Sequence, residues 1–299
     1  LDLVIFPFES FTLLFLQTSS ILRPSSQVVA IGFSVQILIP NSAPIIVCLG
    51  CNPLGVVKTI KSTFNRFCLI SMNNELSLAK TSLIESKGAI CDWSDEETHN
   101  TWLKSLGIKG TSFSPFELFT LEDNPLNHLK RSKNLYKEKY TLPTKHIKSS
   151  KKNIIHIGYF SADFRNHPVM QLIAPLLELH DKSRFKIYLY SFVPKEDEYT
   201  ERAKKSGCIF RNIKKLNDIE AVELARSDKL DIAVDLMGYT RHNRMPIFSY
   251  RVAPIQINYL GFPGSVGSDT IDYIIADKII IPRENEKFYS EKIIRMPNY

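Results

Sequence analysis

Residues 153–170 read NIIHIGYFSADFRNHPVM: an apolar run, then a polar turn that closes on His167-Pro168. The run is short and apolar on both sides, as expected of a strand covered by helices on each face. Pro168 suits the first position of a helix, where its missing N–H costs little. The following QLIAPLLEL carries that helix from His167 to about His180. A strand passing through a polar turn into a helix is half of a βαβ unit.

The unit recurs downstream. Strand patterns at 185–192 (FKIYLYSF), 208–213 (CIFRNI), 230–236 (LDIAVDL), 254–259 (PIQINY) and 272–277 (DYIIAD) are separated by helix patterns at 197–206 and 217–227. This alternation predicts a Rossmann-like α/β lobe built on a parallel sheet, with DYIIAD as the last full strand. Ligands of such sheets bind at the carboxyl ends of the strands. The loops of interest are therefore SADFRNHP, MGYTRHN and GFPGSVGS.

Upstream the texture differs. Residues 1–57 hold only three charged residues, Asp2, Glu9 and Arg23, a net of −1, so the remainder carries +8 and nearly all the charged residues. Their apolar runs, broken by Pro40, Pro44 and Pro53, read either as strands or as sequence that does not fold as a domain. Residues 1–73 are left unassigned, with a misread or wrongly joined coding segment as the favoured expectation. From residue 74 to 142 the pattern is helical. Leu76, Leu78, Ala79, Leu83 and Ile84 form one apolar face, Ser94 is a candidate N-cap before Trp102, and a charged helix near 126–140 would bury Leu126, Leu129 and Tyr136. Residues 143–152 (PTKHIKSSKK) read as a solvated basic linker.

The five cysteines form no disulfide framework, and the lone Cys48-Leu-Gly-Cys51 is too little for a metal site. No signal peptide and no membrane-length apolar run is visible. A cytoplasmic protein without a membrane partner is expected.

Five ordered blocks over 154–299 carry a resemblance: YFSADFRNHPVMQL, VDLMGYTRHNR, RVAPIQINYLGFPGSVG, IDYIIAD and YSEKIIRMPN. Together they resemble the amino-terminal half of the catalytic region of the protein O-linked N-acetylglucosamine transferase/SPINDLY family. ICDW and SPFELFTLEDNP, within 90–140, resemble the region preceding that lobe. The resemblance implies a GT-B glycosyltransferase of two Rossmann-like lobes with the active site between them. It implies inverting transfer of a sugar from a nucleotide donor, UDP-GlcNAc or a related GDP-fucose, to protein Ser/Thr hydroxyls, with no cofactor and no metal. The family takes most of its uridine and pyrophosphate contacts from the second lobe, so this chain alone is expected to be an inactive fragment.

The loops themselves leave two readings open. His167 either caps its helix or faces a substrate, since an uncharged imidazole can accept a hydroxyl proton or a hydrogen bond. The resemblance places it on the family's active-site histidine, as base or as donor ligand. GFPGSVG is not a dinucleotide fingerprint, having GxxGxxG spacing after a late strand. Read alone it is a turn; the resemblance makes Gly261, Pro263 and Gly264 candidates to line the sugar-nucleotide cleft. Gly238, Tyr239 and Thr240 end a buried strand at the same edge, and Thr240 either binds a sugar hydroxyl or caps its turn. Asp163 and Asp235 read as structural. Two other classes remain: a non-catalytic Rossmann-like ligand- or protein-binding module, and a nucleic-acid binder. The pI near 9.0 suggests the latter, but there are no clustered basic and aromatic patches.

Overall fold

The computed structural model describes residues 3–8, 11–16, 33–38, 45–49, 77–109, 112–142, 147–148 and 152–297. The chain divides into two units, Leu1–Met72 and Asn73–Tyr299. In the first, β1 (Leu3–Phe8), β2 (Phe11–Leu16), β3 (Phe33–Leu38) and β4 (Ile45–Leu49) pair in chain order as an antiparallel meander. Each is rich in the β-branched and large apolar residues that favour strands. The remainder of 1–73, Cys51 included, and most of the 143–152 linker lie outside the described residues.

The second unit opens with helices. α1 (Ser77–Ala89) and α2 (Glu96–Leu103) are followed by a 3-10 turn at Pro115–Leu118 and by α3 (Pro125–Lys139). Asn124 caps α3, its side chain accepting the Asn127 N–H at 3.1 Å, and Pro125 occupies the first turn. Two expectations are corrected. The N-cap of α2 is Asp95, not Ser94, whose N–H is tied to the Asp92 carboxylate at 3.0 Å. Leu126 is exposed, and the buried side of α3 consists of Leu129, Arg131, Ser132, Leu135 and Tyr136. Arg131 is fully enclosed, its charge paired with Glu122 at 2.5 Å and its N–H groups donating to the Leu106 and Leu103 carbonyls at 2.8 and 2.5 Å.

The lobe alternates as the sequence predicts. β5 (Ile155–Ser161), α4 (Pro168–Leu179), β6 (Phe185–Ser191), α5 (Glu198–Lys205), β7 (Ile209–Asn212), α6 (Asp218–Ser227), β8 (Ile232–Asp235), α7 (Met245–Ser249), β9 (Ile255–Tyr259) and β10 (Tyr273–Ala276) follow in order. A last strand, β11 (Lys292–Arg295), pairs parallel with β10, so DYIIAD is not the final strand. The sheet runs β11-β10-β9-β8-β5-β6-β7, with every neighbouring pair parallel. Counted from β5 this is the order 3-2-1-4-5-6-7, a Rossmann arrangement that reverses between β5 and β8.

Period-2 alternation splits the core over the two faces. Phe160, Tyr188 and Tyr190 pack with Phe248 and Met245 on one side. Ile157, Tyr159, Leu189 and Val234 pack with Ile173 and Leu177 of α4 on the other. The aromatic strand FKIYLYSF is core, with Phe160 and Tyr190 stacked at 4.3 Å. The helical region closes one face: Phe119 stacks on Phe262 at 5.4 Å, and the Tyr136 hydroxyl meets Thr270 at 3.0 Å.

Candidate functional site at the carboxyl edge of the sheet

The strand order reverses between β5 and β8, and in open α/β sheets ligands bind in the crevice at the carboxyl ends of the strands flanking such a reversal. The loop after β5 is 162–167, and the loop after β8 is 236–244. Their bases are joined, since the Ser161 hydroxyl and the Ala162 N–H both point at Met237 Sδ, at 3.4 Å.

His167 sits at the N-cap of α4 in extended backbone, and its Nδ1 accepts the Val169 N–H at 3.3 Å. The capping reading is thus realised, yet the side chain keeps 34% of its surface exposed. A capping imidazole that accepts through Nδ1 carries its neutral-state proton on Nε2. Asp163 stands 3.6 Å from the same Nδ1 and pairs with Arg165 at 3.2 Å. Arg165 and the exposed Asn166 complete this lip, and the Asn166 N–H is held by Asp197 at 2.6 Å.

The second lip is built on Asp235. Its buried carboxylate accepts the Met237 and Gly238 N–H groups at 2.9 and 3.0 Å. Burial pushes its pKa up to about 6, against the pull of those two donors. Gly238 is buried at φ +52, where a Cβ would lie 2.4 Å from Phe262 Cβ. Tyr239 presents no side-chain surface to the crevice. Its ring is buried against Tyr140 and Phe262, and its hydroxyl donates to the Val266 carbonyl at 2.6 Å. Thr240 is half-buried and donates to the Met237 carbonyl at 2.8 Å, which is the turn-capping geometry.

The GFPGSVG loop follows β9. Gly261 lies against the end of β8, so close that a Cβ would fall 1.9 Å from the Leu236 carbonyl oxygen. Gly264 approaches Phe119, and Gly267, at φ +69, approaches the backbone of Ser132 and Lys133. The glycines therefore admit the helical region to the lobe. Pro263 is exposed, and its carbonyl accepts from the Tyr289 hydroxyl at 2.9 Å. Leu260, just before, holds φ +69, a left-handed conformation costly for a bulky residue and frequent where a binding loop is held in place.

Three supports escaped the sequence reading. Asn258, wholly buried, donates to the Phe262 carbonyl at 3.1 Å and the Gly264 carbonyl at 3.4 Å, while its Oδ1 has no protein partner. Glu291 takes the Ser265 hydroxyl and the Val266 N–H, both at 2.7 Å, and burial raises its pKa. Leu260 is the third. A Glu inside an otherwise β-like SEKIIR was the one visible signal. Among the described residues no group of three or more His, Cys, Asp or Glu could hold a metal ion, and no helix is long and apolar enough to cross a membrane.

Comparison with known proteins gives one consistent result. The profile of glycosyl transferase family 41 matches residues 126–299. The probable UDP-N-acetylglucosamine–peptide N-acetylglucosaminyltransferase SPINDLY of Oryza sativa is 37% identical over 145 residues, 47% of this chain and 16% of its own length. The probable SEC enzyme of Arabidopsis thaliana, named for the same activity, is 31% identical over 145 residues, 48% and 15% of the two chains. This chain thus spans about one-sixth of the length of the curated relatives it matches. An O-GlcNAc transferase mutant from Thermobaculum terrenum superposes with a TM-score of 0.59 at 25% identity, covering 68% of this chain and 41% of its own.

Proposed function

The chain belongs to glycosyl transferase family 41, and from that premise we propose that it supplies the amino-terminal Rossmann-like lobe of a protein O-glycosyltransferase. The proposed reaction is inverting: an acceptor Ser or Thr hydroxyl attacks the anomeric carbon of GlcNAc while UDP departs, with no metal. The relatives named for UDP-GlcNAc support the donor, and the reversal of strand order between β5 and β8 supports the place. A second lobe would close that crevice and hold most of the nucleotide.

The observation that carries the reading is the half-exposed imidazole of His167, fixed by its cap on the lip of that crevice. Its geometry favours one of the two family roles. With Nδ1 engaged by Val169, Nε2–H faces outward as a donor, suited to an oxygen of the sugar nucleotide. Action as a general base would require the proton on Nδ1, turned toward Asp163 at 3.6 Å, and the loss of the cap. We therefore assign His167 to donor binding. With it we assign Arg165, Thr240, Gly261 and Pro263 to the donor cleft, and Gly238, Tyr239 and Gly264 to holding the loops in position.

The test uses the protein of the intact reading frame, assayed for transfer from UDP-GlcNAc and, separately, from GDP-fucose to Ser/Thr peptides. The expected result is GlcNAc transfer that falls in His167→Ala mainly through a raised KM for the donor. Transfer from neither donor would overturn the reading. Unchanged kinetics in the variant would remove His167 from the site.

A further inference from the structure

The GFPGSVG loop is pinned from three segments of the chain. From β9, the buried Asn258 amide donates to the Phe262 and Gly264 carbonyls at 3.1 and 3.4 Å. From the loop after β8, the Tyr239 hydroxyl donates to the Val266 carbonyl at 2.6 Å. The third grip comes from outside the candidate site. After β10 the chain passes through a 3-10 turn at Arg283–Phe288 and returns into β11, and two side chains of this return reach back to the loop. The Tyr289 hydroxyl donates to the Pro263 carbonyl at 2.9 Å. Glu291 accepts the Ser265 hydroxyl and the Val266 N–H at 2.7 Å each, and the Ser290 hydroxyl at 3.2 Å. The Ser290 N–H donates to the Ser265 oxygen at 3.1 Å.

Glu291 is a costly residue for a brace. It is 4% exposed, and among the described residues no cation pairs with it. A loop that needed only packing would be served at less cost by an apolar or amide side chain. What a carboxylate adds is strength and direction, since hydrogen bonds to an ionised acceptor are shorter and about twice as strong as neutral ones. The loop it holds is also entered through Leu260 at φ +69, and strain of that kind persists only where the surroundings over-determine it. With the carbonyls of Phe262, Pro263, Gly264 and Val266 all taken, the loop has little room to turn.

Resting on the donor-binding reading above, we propose that Glu291 and Tyr289 are positioning residues for the sugar end of the donor. They set the backbone of 261–266 where the sugar requires it, without touching the sugar themselves. A second lobe that holds most of the nucleotide leaves the sugar to this loop, so the brace acts on the sugar and not on the nucleotide.

Calorimetric binding of UDP-GlcNAc and of UDP, in parallel, to the full-length protein that carries this lobe tests it. Glu291→Ala is expected to weaken UDP-GlcNAc on the order of ten-fold and to leave UDP within about two-fold of wild type. Glu291→Gln keeps an acceptor for the Val266 N–H and is expected to recover part of that loss. Tyr289→Phe removes one hydroxyl and is expected to weaken UDP-GlcNAc about three-fold at an unchanged unfolding midpoint. A role in stability alone does not separate the two ligands, because a partly unfolded protein loses sites for both and keeps its affinity at the rest. Equal weakening of both ligands, or wild-type affinity for UDP-GlcNAc in Glu291→Ala and Tyr289→Phe, would overturn the proposal. Should Glu291→Ala fail to fold, Tyr289→Phe decides alone. A wild-type protein that does not bind UDP-GlcNAc would instead remove the donor reading, and this proposal with it.

Discussion

His167 does two jobs that substitution can separate. As an N-cap it satisfies the Val169 N–H, and removing such a cap costs about 1 kcal/mol, whereas Asn caps about as well as any residue. His167→Ala is therefore expected to lower the free energy of unfolding by about 1 kcal/mol in urea titration, and His167→Asn to recover most of that loss. A loss of function shared by both variants then belongs to the imidazole and not to the helix. Asp235 offers a second handle at this scale. Its pKa in the folded chain is about 6, above the ordinary 3.8, so the fold holds its proton more tightly than the unfolded chain does. The stabilisation is complete below about pH 4 and is lost as pH rises through 6, about 3 kcal/mol in all. Asn cannot titrate. Relative to Asp235→Asn, the wild type should therefore lose about that much unfolding free energy between pH 4 and pH 7. A difference that stays flat with pH would contradict the burial of this carboxylate.

Among elements, the GFPGSVG loop and α3 show what was legible and what was not. The strand-turn-helix of 153–179 could be read from period and from Pro168, because local chemistry alone decides those. The glycines could be read as permitting a close approach, but not as to what approaches. Phe119, Ser132 and the Leu236 carbonyl lie far away in sequence, and only the fold brings them there. Gly261→Ala puts a methyl into the Leu236 carbonyl, backbone against backbone, and is expected to cost about 3 kcal/mol or more in thermal or urea unfolding. Arg131 was hidden for a similar reason. On α3 it reads as one more surface cation, and only the carbonyls of Leu103 and Leu106 with Glu122 make its burial tolerable. Arg131→Ala strands that carboxylate and both carbonyls and is expected to cost about 3–5 kcal/mol by the same measurement, without altering the β5/β8 crevice.

For the whole molecule, the alternating pattern was enough to predict a parallel sheet, and the resemblance of the five blocks to the O-GlcNAc transferase/SPINDLY family agrees with the family match over 126–299. The strand order was not legible, since periodicity says which segments are strands and nothing of which lie side by side. That order matters for function. The loops of His167 and Thr240 follow the two strands at which the order reverses, the position where sheets of this kind take ligands. Tyr239 shows the limit at the site itself: the motif marks it as a candidate to line the cleft, whereas its ring is buried and its hydroxyl is used by the Val266 carbonyl. The most direct measurement is kcat/KM for GlcNAc transfer from UDP-GlcNAc by the full-length protein that carries this lobe, wild type against His167→Asn. The account gives a loss on the order of 100-fold with an unchanged unfolding midpoint. Transfer at the wild-type rate by a properly folded His167→Asn would contradict it.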